Sequence, residues 1–219
     1  MNIRQNIEDI KNNLPENVKL VAVSKTRSNE DILGAYSFGC KIFGENKVKE
    51  LVKKHEELPK DIEWHFIGHL QTNKVKYIAP FVHLIHSIDS LKLLKEINRE
   101  GLKNKRVISC LLQFYIANEE TKFGLSLEKA RQILNSEEFV LMQNVKISGV
   151  MGMATFTEDT EKIISEFRIL KAIFNTLKNE YFYSSEHFCE ISMGMSNDFQ
   201  VALNEGSTIV RIGSKIFET

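Results

Sequence analysis

Short apolar runs recur eight times along this chain, each followed by a stretch of helical periodicity, and that order leaves few architectures open. The runs fall at 18–25, 41–45, 63–69, 84–88, 106–114, 145–154, 187–192 and 207–212. The intervening stretches carry helix signals with a physical basis. Ser28-Asn29-Glu30-Asp31 reads as a capping box, Asp89-Ser90 and Ser126 stand where N-caps belong, and Gly206 stands where a helix should end. Ile163, Phe167, Leu170, Phe174 and Leu177 give the segment after the sixth run one apolar face. Ahead of the first run, Ile3, Ile7, Ile10 and Leu14 share a helical face and Pro15 stops it.

This alternation, with no composition break, predicts one domain over 1–219: an α/β fold, a single (β/α)8 TIM barrel with an extra N-terminal helix. The length lies slightly below the ~250 residues typical of such barrels. A doubly wound open sheet is the alternative, because the strand count alone separates the two. An irregular loop is expected at 118–124.

Lys plus Arg and Asp plus Glu each number 29, so the formal charge is zero and no broad cationic field exists to hold a phosphate backbone. Nucleic acid is therefore not an expected partner. Cys40, Cys110 and Cys189 are odd in number and widely spaced, which suits reduced, buried thiols and a cytoplasmic location better than a disulfide framework. The N-terminus lacks the apolar core of a signal peptide, and no apolar run is long enough to span a bilayer.

In a barrel of this kind, function gathers at the C-terminal ends of the strands, and phosphate is often held by the loops after strands seven and eight. The first run ends abruptly on Lys25, which would deliver an amine to that mouth. After the seventh run comes Ser192-Met193-Gly194-Met195-Ser196, where the Ser192 hydroxyl and backbone N–H groups can receive a dianion. After the eighth comes Arg211-Ile212-Gly213-Ser214, with a glycine for close backbone approach and a second hydroxyl. Taken singly, Ser192 and Ser214 also read as helix caps, Gly213 as a turn residue, and Lys25 as a surface lysine. Arg211 shares the orientation of Gly213; if both face inward, the guanidinium needs a carboxylate or an acceptor on a ligand. Together, amine, anion loops and buried cation suit an aldehyde-bearing aromatic phosphate. Pyridoxal 5′-phosphate (PLP) has that chemistry, with a Schiff base on Lys25 and Arg211 facing the ring nitrogen.

Six segments carry a resemblance. They are Val21-Ala22-Val23-Ser24-Lys25, Phe43-Gly44-Glu45-Asn46, the run from Trp64-His65-Phe66-Ile67-Gly68-His69 to Lys74, Gly149-Val150-Met151-Gly152-Met153-Ala154, Ser192-Met193-Gly194-Met195-Ser196 and Val210-Arg211-Ile212-Gly213. In order, and over nearly the whole chain, the sequence resembles the pyridoxal phosphate homeostasis proteins of the YggS/PROSC type. The resemblance implies a barrel like the N-terminal domain of alanine racemase, binding PLP covalently through Lys25. It also implies Asn46 near the ring and Ser192, Gly213 and Ser214 at the phosphate. The implied role is storage, buffering or delivery of PLP inside the cell, by a monomer, with PLP-dependent apoenzymes as recipients. Ser196-Asn197-Asp198-Phe199 departs from the family's usual Ser-Asp-Asp-Met, Ser214 replaces a common threonine, and Ile216-Phe217-Glu218-Thr219 lacks the usual Phe-Gly ending.

The competing reading is a small PLP-dependent amino-acid racemase. An arginine opposite the ring nitrogen disfavours its protonation and weakens the electron sink. Alanine racemase tolerates this but adds a tyrosine base from a second domain, which this sequence does not carry. Of its tyrosines, only Tyr115 lies near a strand end. A metal-dependent hydrolase is a third reading. His65 and His69 would point the same way on one strand, and His83 and His86 follow, but no carboxylate is expected at a matching spacing. No metal site is expected.

Overall fold

The computed structural model describes residues 3–117 and 123–218, so most of the loop expected at 118–124 lies outside the described residues. Helix α1 (Ile3–Asn12) precedes β1 (Lys19–Val23), α2 (Asn29–Ser37), β2 (Ile42–Glu45), α3 (Val48–Glu57) and β3 (Glu63–Phe66). A 3₁₀ turn (Thr72–Lys74) leads into α4 (Val75–Ile78), then β4 (Leu84–Ile88), α5 (Leu91–Lys103) and β5 (Ile108–Tyr115). The chain continues through α6 (Leu127–Leu134), α7 (Glu137–Val140), β6 (Val145–Met153) and α8 (Thr160–Tyr181). It closes with β7 (Glu190–Met195), α9 (Phe199–Asn204), β8 (Ile209–Ile212) and α10 (Ser214–Phe217).

The eight strands form a closed barrel in chain order, every pair parallel. Pairing of β1 with β8, Lys19 opposite Ile209 through Ala22 opposite Ile212, closes the ring and removes the open-sheet alternative. Strands buried on both faces account for the uninterrupted apolar runs in the sequence. Inward side chains Val21, Leu84, Leu111, Met151 and Ile209 form the barrel's own core, and a larger apolar shell packs strands against helices. In α8, Ile163, Phe167, Leu170 and Leu177 are buried; each such side chain contributes roughly 1.5–3 kcal/mol. Phe174, the remaining member of the stripe, stacks on Phe188 at 5.0 Å. The expected caps form: Ser28 and Asp31 make a reciprocal box, and Ser90 and Ser126 accept from Leu93 N and Lys129 N.

Several strand boundaries differ from expectation, and those of β1, β3 and β7 move a residue of interest. Strand β1 ends at Val23, leaving Lys25 in a turn. Strand β3 ends at Phe66, leaving His69 beyond it. Strand β7 starts at Glu190 rather than 187, because Phe188 is spent stacking on Phe182 (4.2 Å) and Phe174. It runs on to Met195 rather than stopping at 192, so Ser192 sits in mid-strand. Gly194 lets the strand continue past it, with φ of +93° and a Cβ position only 2.6 Å from Ala202 Cβ. Of the three free thiols, Cys40 and Cys110 are buried as expected, but Cys189 is exposed just ahead of β7. Among the described residues, no helix is long and apolar enough to cross a membrane.

Candidate functional site

The C-terminal mouth holds a cavity of about 590 Å³ lined by Lys25, Asn46, Arg211, Gly213 and Ser214, together with the Met195–Ser196–Asn197 turn. Topology explains this gathering. These residues lie at or just beyond the C-terminal ends of β1, β2, β7 and β8, which are consecutive around the closed ring.

Lys25 stands on a rigid turn. Arg27 N donates to Ser24 O at 3.0 Å, and Thr26 takes a left-handed φ of +64°, which an unbranched or glycine residue would accept more readily. Thr26 N is held by Glu50 Oε2 at 3.1 Å. Beneath lies a buried polar clamp: Lys54 Nζ donates to Glu45 Oε1 (2.7 Å) and Ser24 O (2.8 Å), and Ser24 Oγ donates to Glu45 Oε1 (2.6 Å). Burial raises the Glu45 carboxyl pKa, while Lys54 and Ser24 pull it back down. The clamp fixes the end of β1 against β2 and α3, and thereby the root of Lys25. The Lys25 side chain is exposed toward the cavity.

Asn46 follows Glu45 directly and is wedged by a close approach. A Cβ on Gly68 would lie 2.3 Å from Asn46 O and 2.8 Å from Asn46 Cα, so only glycine admits this contact.

Arg211 is buried and faces inward, level with the inward Val21 of β1. It donates Nη1 to Ser192 Oγ and Nη2 to Gly152 O (3.1 Å). Burial lowers its pKa to about 10, with the Asp198 charge acting in the opposite sense. It stays charged at neutral pH. Among the described residues no carboxylate forms an ion pair with it, so part of its charge is left for whatever fills the cavity. Opposite, Gly213 N donates to Ser196 Oγ at 3.3 Å, and Ser214 opens α10, where first-turn N–H groups lack intrahelical acceptors. Asp198 Oδ1 accepts from Met195 N at 2.5 Å and shapes the turn after β7.

Ser192 departs from the expected role. It is fully buried, does not line the cavity, and its Oγ meets Arg211 and His86 Nδ1 (3.0 Å). It orients the arginine; the hydroxyl at the mouth is Ser196, four residues later. The convergence of His65 and His69 that the metal-hydrolase reading would need is not seen. His65 points into the barrel toward His86, whereas His69, outside the strand, stacks on Phe123 (4.1 Å) and lies 3.2 Å from Asp89. Tyr115 is about half exposed and does not line the cavity. Sequence reasoning missed the Glu45–Lys54 clamp, although Glu45 lay inside a quoted segment.

The site defines a class. Residues 1–219 match the family model described as alanine racemase, N-terminal domain. Alanine racemase of Clostridium difficile shares the fold (TM-score 0.79, 13% identity), with 98% of this chain matched to 59% of that one. The chain belongs, within that class, to the pyridoxal phosphate homeostasis protein family. It is 43% identical over 201 residues to the pyridoxal phosphate homeostasis protein of Aquifex aeolicus, covering 91% of this chain and 86% of the relative. The Vibrio alginolyticus protein of the same name is 34% identical over 230 residues, covering 98% and 96%. PipY of Synechococcus elongatus, solved with PLP bound, superposes with a TM-score of 0.88 at 30% identity, covering 98% of this chain and 99% of that one.

Proposed function

We propose that this chain binds PLP in the C-terminal mouth of the barrel and serves PLP homeostasis in the cytoplasm, holding the cofactor for release to apoenzymes without dedicated turnover. The observation that carries this is one cavity lined by both a lysine amine and a buried arginine that, among the described residues, forms no ion pair with a carboxylate, beside a hydroxyl-bearing double turn. The residues fit the group. Bound PLP supplies an aldehyde that condenses with primary amines and a ring that draws electrons from the attached carbon. Lys25 offers the amine that holds it covalently. Ser196, Gly213 and Ser214 offer hydroxyl and backbone donors to its phosphate. Asn46, pinned by Gly68, offers an amide at the ring. Ser192, behind Arg211, sets the direction of the guanidinium.

Arg211 weakens the electron sink under either reading, and the second base is what separates carrier from racemase. A positive charge opposite the ring nitrogen opposes its protonation and limits the electron sink. Tyr115, the sequence candidate for a second base, stands away from the cavity. Among the described residues, Lys25 is then the only cavity-lining lysine able to move a proton at the substrate carbon. Loss of the α-proton in deuterated buffer, followed across the common amino acids, tests this. Slow or absent exchange is expected; rapid exchange of any one amino acid would make the protein an enzyme.

A further inference from the structure

Arg211 is one end of a polar chain that runs down the inside of the barrel. Its Nη1 donates to Ser192 Oγ, Ser192 Oγ meets His86 Nδ1 at 3.0 Å, and His86 Nε2 meets His65 Nδ1 at 3.0 Å. His65 and His86 are both buried inside the barrel. Below His65, at the strand starts, stand Glu63, first residue of β3, and His83, just ahead of β4. Glu63, His65 and His83 each bring a ligand atom within 4.8 Å of the others, and His83 Nε2 lies 3.4 Å from Glu63 Oε2. Sequence reasoning found no carboxylate for these histidines; Glu63, two residues before His65 on the same strand face, supplies it.

We propose that Glu63, His65 and His83 bind a divalent transition metal of the zinc type at the N-terminal mouth, and that its occupancy is felt at Arg211 through His86 and Ser192. Two imidazoles and one carboxylate suit Zn²⁺, with a fourth position open to water. Bonds of about 2.0–2.1 Å require ligand atoms about 3.3 Å apart. The half-exposed Glu63 and His83 side chains have the freedom to close that difference, while His65 is held by His86 in the manner of an oriented metal ligand.

The relay follows from proton counting. Arg211 always donates to Ser192 Oγ, so the chain has two consistent arrangements. In one, Ser192 donates to His86 Nδ1, His86 Nε2–H donates to His65 Nδ1, and His65 carries its proton on Nε2. In the other, His65 Nδ1–H donates to His86 Nε2, His86 Nδ1–H donates to Ser192, and His65 Nε2 presents a lone pair. A metal ion on Nε2 selects the second arrangement. Ser192 Oγ then accepts from both His86 and Arg211 while its own proton loses the His86 acceptor and rotates away from it, and the weakened hold on Arg211 alters the field at the cofactor ring. This coupling rests on the PLP reading; the metal site does not.

Calorimetric titration of the chelator-dialysed full chain with ZnCl₂ tests the site. One equivalent should bind, and His83→Ala and Glu63→Gln, both at half-exposed side chains, should each weaken binding at least tenfold. Absence of saturable binding, or equal affinity in both variants, would overturn the site. Absorbance of the PLP-loaded protein tests the coupling: Zn²⁺ should shift the cofactor band in the native chain, and His86→Gln should bind Zn²⁺ without the shift. A band unmoved by saturating Zn²⁺ would remove the coupling. Failure to load PLP at all would defeat the cofactor reading while leaving the calorimetric result to stand.

Discussion

Replacing Lys54 with Met removes the cation under Glu45 while keeping the length of the side chain. The carboxylate is fully buried, 2.7 Å from the ammonium, and has no other cation in contact among the described residues. Two responses are open to it. Left charged and unpaired, it costs about 3–5 kcal/mol. Protonated, it costs the free energy of neutralising a group whose unfolded pKa is about 4.3, which at pH 7 is about 2.7 × 1.36, or roughly 3.7 kcal/mol. Because burial already raises the Glu45 pKa in the native chain, part of this cost is present there, and the loss on substitution at pH 7 is at most about 3–4 kcal/mol. The second route also fixes the sign of the pH dependence. Above the unfolded pKa, the folded variant retains a proton that the unfolded chain has released, so its stability falls as pH rises. At pH 5 the same arithmetic leaves a deficit of only about 1 kcal/mol. Urea unfolding of wild type and Lys54→Met at pH 5, 6 and 7 measures this directly, and Glu45→Gln/Lys54→Met should recover most of the loss. A deficit below 1 kcal/mol at pH 7, or one independent of pH, would refute the view that the clamp is a buried, desolvated pair.

Arg211→Gln keeps a donor for Ser192 but removes the charge; PLP affinity should fall at least tenfold by absorbance titration while the far-ultraviolet circular dichroism is retained. Gly68→Ala should displace Asn46, since its Cβ would lie 2.3 Å from the Asn46 carbonyl oxygen, destabilising the fold by about 1–3 kcal/mol and loosening PLP. Unchanged PLP titration in Gly68→Ala would free Asn46 of its assigned role. Ser196→Ala should weaken phosphate-bearing PLP but not pyridoxal, measured by competition; an equal effect on both would place the phosphate elsewhere.

The fold was legible because both faces of a parallel strand are covered, which writes each strand as a continuous apolar run. Its errors came where apolar residues do other work. Phe188 reads as strand but stacks on Phe174 and Phe182, which delays the start of β7, and Gly194 lets the strand run on to Met195, which leaves Ser192 in mid-strand. Lys25, Gly213 and Ser214 were visible because chain position at a strand end is a local property, and the structure gathers them with Asn46 and Arg211 on one cavity. The Lys54–Glu45 clamp and the His65–His86–Ser192–Arg211 chain were not visible. Their members lie on different strands and helices, and ring closure alone makes them neighbours. A charged residue in α3 looks like any solvated lysine until the strand beneath it is known to end in a buried glutamate.

The most direct test of the central claim is where PLP attaches. The protein incubated with PLP and reduced with borohydride should carry the pyridoxyl group on the peptide containing Lys25, and Lys25→Ala should carry none. Modification of another lysine in the native chain, or undiminished modification of Lys25→Ala, would contradict the account.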